Sequence, residues 1–113
     1  MSATITIEDA PGTWVVRAGG AVIGESSKAL ILRENGYPDV VYFPRSDIAT
    51  AFLDPSDTVT SCPHKGQATY YSIQTKSVTL KDAGWSYEDP KDAVAAIAGH
   101  LAFENEGVTI EKI

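Results

Sequence analysis

The sequence predicts an all-β fold, mainly antiparallel, with one short helix near the carboxyl terminus. Three observations predict it. Apolar residues alternate with polar ones over short runs, as in Thr4-Ile5-Thr6-Ile7-Glu8, which is the period of a half-buried strand. Glycine, proline or Asn-Gly bounds each run, as turns between strands require. The runs are rich in Val, Ile, Thr and Tyr, which fit a pleated surface.

In chain order, Ala3 to Glu8 reads as the first strand, with Ile5 and Ile7 on one face, ended by the turn Asp9-Ala10-Pro11-Gly12. Trp14 to Arg17 is the second, closed by Gly19-Gly20, and Ala21 to Gly24 is a short third. Ala29 to Leu32 is the fourth, followed by the hairpin signal Glu34-Asn35-Gly36. Asp39 to Phe43 is the fifth, stopped by Pro44, and Ser46 to Leu53 connects it onward as a short turn or strand. Asp54-Pro55-Ser56-Asp57 reads as a loop.

A hairpin follows, with Thr58 to Cys62 entering, Pro63-His64-Lys65-Gly66 turning and Gln67 to Thr75 leaving. Proline suits the entrance of such a turn, and glycine supplies the positive φ of a three-residue loop with a bulge. Ser77 to Leu80 is another strand, Lys81-Asp82-Ala83-Gly84 a turn, and Trp85-Ser86-Tyr87 is extended, with both aromatics on one side. Asp89-Pro90 opens the helix, because Asp caps free N–H groups and Pro suits the first helical position. Val94, Ile97 and Leu101 recur at helical spacing, and Gly99 stops it. Leu101 to Phe103 and Val108 to Ile110 read as a closing hairpin around Asn105-Glu106-Gly107.

Composition narrows the function. The 113 residues, 43% hydrophobic, suffice for one domain, 1–113, with a core of its own. A formal net charge of −6 argues against nucleic acid and against an anionic membrane surface as partners. No apolar run approaches the roughly 20 residues of a spanning helix. Met-Ser-Ala-Thr-Ile lacks the pattern of a signal peptide. A cytoplasmic protein is the expectation. One cysteine excludes an internal disulfide and a multi-cysteine zinc site; no metal and no cofactor are expected.

The most reactive side chains sit in Ser61 to Ser72. Cys62 is a candidate nucleophile, since a thiol near a histidine or lysine ionises more easily; its bland alternative is a small buried hydrophobe at a strand end. His64 is the candidate base and Lys65 an anion-binding charge, or both are ordinary polar residues on an exposed turn. Trp14, Tyr70, Tyr71, Trp85 and Tyr87 either line a pocket for a flat or cationic ligand or form the core. The scattered acids Glu25, Glu34, Asp39 and Asp47 show no dyad spacing. Gly12, Gly19, Gly20 and Gly24 do not match a phosphate loop, and His100 falls at a helix end as a structural residue.

Several stretches carry a family resemblance: Ser26 to Glu34, Val41-Tyr42-Phe43-Pro44 with Asp47, Cys62-Pro63-His64-Lys65-Gly66 with Tyr70, and Trp85-Ser86-Tyr87 with Pro90 and Phe103. From about Trp14 to Ile110 the chain resembles the small bacterial family called domain of unknown function 427, sometimes labelled nucleotidyltransferase-like. The resemblance implies a compact β-tent-like domain. Related β-tents carry zinc on paired C-x-x-C motifs, which this sequence lacks, so zinc does not carry over. By analogy, Cys62, His64, Lys65, Tyr70, Trp85 and Glu34 converge on a groove. Neither a phosphate loop nor a metal-binding acid pair accompanies the nucleotidyltransferase label.

Three functions follow as expectations. In the first, a small ligand occupies an aromatic-lined groove beside the Cys62–Gly66 turn, bound by Lys65, Glu34, Tyr70, Trp85 and Tyr87. In the second, an enzyme, thiol-dependent or nucleotidyltransferase-like, uses Cys62 as nucleophile and His64 as base. In the third, a non-catalytic module forms a homodimer through exposed strand edges.

Overall fold

The computed structural model describes residues 4–113, so the Ala3 start expected for the first strand lies outside the described residues. Among the described residues, ten strands form three antiparallel sheets. The first joins β1 (Ile5–Asp9), β4 (Leu30–Glu34) and β5 (Val40–Tyr42) in the order β1-β4-β5. The second joins β2 (Trp14–Ala18), β3 (Ala21–Ser26) and β10 (Val108–Lys112) in the order β10-β2-β3. The third runs β6-β7-β8-β9, from β6 (Leu53–Cys62), β7 (Gly66–Gln74), β8 (Thr79–Ser86) and β9 (Ala102–Phe103). Isolated bridges between Phe43 and Leu101 and between Gly24 and Ile48 tie further segments together.

The first sheet is a wall between two apolar clusters. Ile31 and Phe43 pack on one side with Val16, Ile23, Ile73, Leu101 and Phe103. Leu32 and Tyr42 pack on the other with Tyr87, Val94, Ile97 and Ala102. Successive side chains of a strand point to opposite faces, so a strand covered on both faces reads as an unbroken apolar run. Ala29-Leu30-Ile31-Leu32 is such a run.

The hairpins follow from turn chemistry. Ala18 faces Ala21 across Gly19-Gly20, and both glycines have positive φ, 56° and 87°, as a two-residue hairpin loop requires. Cys62 pairs with Gly66, so Pro63-His64-Lys65 is the three-residue loop the sequence predicts, with Gly66 at φ 112°. The connection after β5 is two 3-10 turns, Arg45–Asp47 and Thr50–Phe52.

Four local expectations are corrected. Asp54-Pro55-Ser56-Asp57 belongs to β6, with a register shift between Pro55 and Val59. β6 is an edge strand, where a proline's missing N–H leaves no ladder bond unmade. Lys81-Asp82-Ala83-Gly84 lies inside β8. Its turn-forming residues make a bulge instead: Asp82 sits at φ 53° and its N–H donates to Ser72 Oγ at 3.1 Å.

The helix expected from Asp89-Pro90 is a 3-10 segment, Asp92–Ile97, with no side-chain cap and a kink at Val94. Only Val94 and Ile97 are buried along it, and a three-residue spacing suits three residues per turn. Finally, Leu101 to Phe103 and Val108 to Ile110 do not form a hairpin. β9 pairs with β8 and β10 with β2. The Glu104 N–H donates to the Ala83 carbonyl, and Asn105 Oδ1 accepts the Gly107 N–H at 2.8 Å; together these turn the chain from one sheet to the other.

Candidate functional site

Glu34 ends β4, and the hairpin loop carries Lys65 up to it. Lys65 Nζ donates to Glu34 Oε1 at 2.8 Å, and the two side chains are only 14% and 8% exposed. The loop is held from behind: the Lys91 N–H donates to the Lys65 carbonyl at 3.0 Å. Pro90 packs against the loop: a Cβ on Gly66 would stand in ordinary van der Waals contact, 3.6 Å from the Pro90 Cα. Burial opposes the Lys65 ammonium, but the hydrogen bond to Glu34 and nearby negative charge outweigh it and raise its pKa.

Tyr70 and Trp85 are register partners on β7 and β8. Their ring centroids are 6.3 Å apart and tilted by 37°, within the range of a favourable aromatic pair. Trp85 Nε1 donates to the Tyr42 hydroxyl at 3.3 Å. Thr60 Oγ1 and the Tyr70 hydroxyl lie 3.1 Å apart. Burial pushes the Tyr42 and Tyr87 hydroxyls up to about 12, so both stay protonated in neutral solution and remain able to donate a hydrogen bond.

These groups border one cavity of about 740 Å³. Glu34, Lys65, Tyr70, Trp85 and Tyr87, named from sequence as ligand-binding residues, all line it. Cys62 and His64 do not line it. Cys62 is a free, half-buried thiol, His64 is exposed, and no hydrogen bond joins them among the described residues. The loop aims its amine inward and leaves its sulfur and imidazole outside the lining.

The cavity also has walls that sequence reading did not name as ligand-binding. Tyr42 and Val40 of β5, and Tyr37 and Asp39 before it, line one stretch. Asp82 of the β8 bulge and Glu104 after β9 line another. The available signal was the position of Tyr37, an aromatic directly after an Asn-Gly turn; the structure leaves it 66% exposed, which for a single surface ring is ordinary. Asp82 and Glu104 carried no such signal; only strand pairing brings them to this cavity.

A second, smaller cavity of about 290 Å³ lies among Ser26, Lys28, Ser46 and Asp47. Ser26 Oγ donates to Asp47 Oδ2 at 2.6 Å and accepts the Lys28 N–H. These bonds fix the chain beyond β3. Among the described residues, no three His, Cys, Asp or Glu side chains converge as metal ligands would, and no helix is long and apolar enough to cross a membrane.

No curated protein matches the chain. A family model described as domain of unknown function (DUF427) matches residues 6–113, nearly the whole sequence and all the residues of the cavity. The chain belongs to that family.

Proposed function

We infer that this protein binds a small ligand in the cavity beside the Cys62–Gly66 turn. One observation carries the reading: Glu34, Lys65, Tyr70, Trp85 and Tyr87, from three separate stretches of the sequence, border a single open space of about 740 Å³. A cavity of that size with aromatic walls and a few polar groups has the composition of a small-molecule site. Tyr70 and Trp85 supply flat apolar surface, and the Lys65–Glu34 pair supplies a donor and an acceptor side by side. Burial of the pair and its anchoring through Lys91 keep those groups in position before a ligand arrives, which lowers the ordering cost of binding.

The test is ligand-detected NMR on isotope-labelled protein with mixtures of small metabolites. Binding in the cavity shifts the Trp85 indole N–H and the Lys65 amide together. Mixtures that shift neither, or that shift only residues remote from the cavity, overturn the reading.

A further inference from the structure

Charge around the cavity is lopsided. Four carboxylates line it, Glu34, Asp39, Asp82 and Glu104, against the single ammonium of Lys65. That ammonium is already committed to Glu34. Arg33 approaches Asp39 at 3.3 Å but is not among the lining residues, and it also pairs with Glu8. Asp82 Oδ2 accepts from Thr58 Oγ1 at 2.7 Å and Oδ1 is sealed from solvent; Ser56 and Thr58, with Lys81 nearby, hold the carboxyl below its ordinary value, so it carries its negative charge. Glu104 is exposed and has no cationic partner among the described residues.

A second observation, independent of the acids, points to a ligand. Tyr87 is 6% exposed and lines the cavity, yet its hydroxyl has no hydrogen-bond partner among the described residues. That hydroxyl is not among the side-chain atoms sealed from solvent without a partner, and its charged and hydroxyl neighbours Tyr42, Lys65 and Tyr70 all line the cavity. A buried tyrosine hydroxyl ordinarily finds a partner within the protein. Here the partner position is left to an occupant of the cavity.

We propose that the cavity selects a small organic cation, an amine or guanidinium carried on an apolar or aromatic body. This rests on the reading of the cavity as a ligand site. The tilted Tyr70 and Trp85 rings offer π-faces, which attract cations. The surplus carboxylates, set beside low-dielectric walls, concentrate a negative potential in the opening. An anion meets the same potential as repulsion, and the charge of Lys65, the cation in the lining, is already offset by Glu34.

Three probes of matched size separate the possibilities: phenethylamine, 2-phenylethanol and 3-phenylpropionate, each titrated into labelled full chain at low salt and neutral pH. Phenethylamine is expected to shift the Trp85 indole N–H and the Tyr87 amide, with an affinity about tenfold above that of the anion and weakening as salt is added. The double substitution Asp82→Asn with Glu104→Gln is expected to lower the preference for phenethylamine over 3-phenylpropionate several-fold. Asn tolerates the left-handed backbone at position 82, so the fold is retained. Equal or tighter binding of the neutral or anionic probe overturns the cation proposal and leaves the ligand site standing. An undiminished preference in the double variant overturns it as well. Binding of none of the three overturns the site itself, and the proposal with it.

Discussion

Lys65 and Glu34, thirty-one residues apart in sequence, meet in an ion pair of 2.8 Å that is nearly closed to solvent. The pair joins the loop between β6 and β7 to the end of β4, and so joins the first sheet to the third. An ion pair withdrawn from water loses hydration as well as gaining attraction. Its removal from one side therefore differs from its removal from both.

Glu34→Gln is expected to destabilise the protein by about 1–3 kcal/mol, between the values for exposed and fully buried pairs, because it strands the Lys65 ammonium. Glu34→Gln combined with Lys65→Met is expected to recover most of that loss. Urea midpoints for the two single variants and the double variant check it; strictly additive losses would show that the two groups are uncoupled.

Stability is expected to fall in alkali and not near neutrality. Lys65 has a raised pKa, so its contribution is complete below the ordinary lysine value and is lost as pH climbs through the higher folded value. Tyr42 and Tyr87 are pushed up to about 12 by burial, so between about 10 and that value only the unfolded chain releases these protons, and unfolding is favoured. Urea unfolding across alkaline pH measures the decline. Near-ultraviolet absorbance should show two tyrosine hydroxyls ionising well above the ordinary tyrosine value of about 10; their ionisation near that ordinary value would contradict it.

Tyr42→Phe is expected to cost about 1–2 kcal/mol, because the Trp85 indole N–H loses the hydroxyl it donates to at 3.3 Å. The indole proton resonance should move upfield and exchange faster. An unchanged indole signal would show that the bond does not persist in solution.

Gly24→Ala is expected to destabilise by about 1–3 kcal/mol through overpacking. An added Cβ would stand 2.4 Å from Ile48 Cδ1, 3.0 Å from Val16 Cγ1 and 3.1 Å from the Asp47 carbonyl oxygen. The last of these is backbone and cannot turn aside. Thermal unfolding reads the loss, and a variant as stable as the parent would mean the bridge between Gly24 and Ile48 yields.

Much of the fold was legible because strand signals are local. Alternation in Ile5–Asp9, the Gly19-Gly20 and Asn35-Gly36 turns, and the Pro63-His64-Lys65-Gly66 loop state their geometry within a few residues. Where the reading failed, the same residue types served a different partner: Asp82 bends a bulge inside β8, and Asp89-Pro90 introduces two 3-10 turns because only Val94 and Ile97 are buried there. Glu34, Lys65, Tyr70, Trp85 and Tyr87, the residues proposed to bind a ligand, line one cavity, whereas Cys62 and His64, equally conspicuous by type, do not.

The amino-acid sequence alone determined that this chain builds antiparallel strands, where most of them turn, and that a loop bearing an amine stands beside an aromatic strand. Tertiary structure alone decided which strands share a sheet, that β9 and β10 part company, and that Asp39, Asp82 and Glu104 surround the same space as Lys65. The physical reason is range. Turns and alternation follow from backbone sterics over a few residues, whereas the charge inside a cavity sums side chains that only long-range pairing brings together.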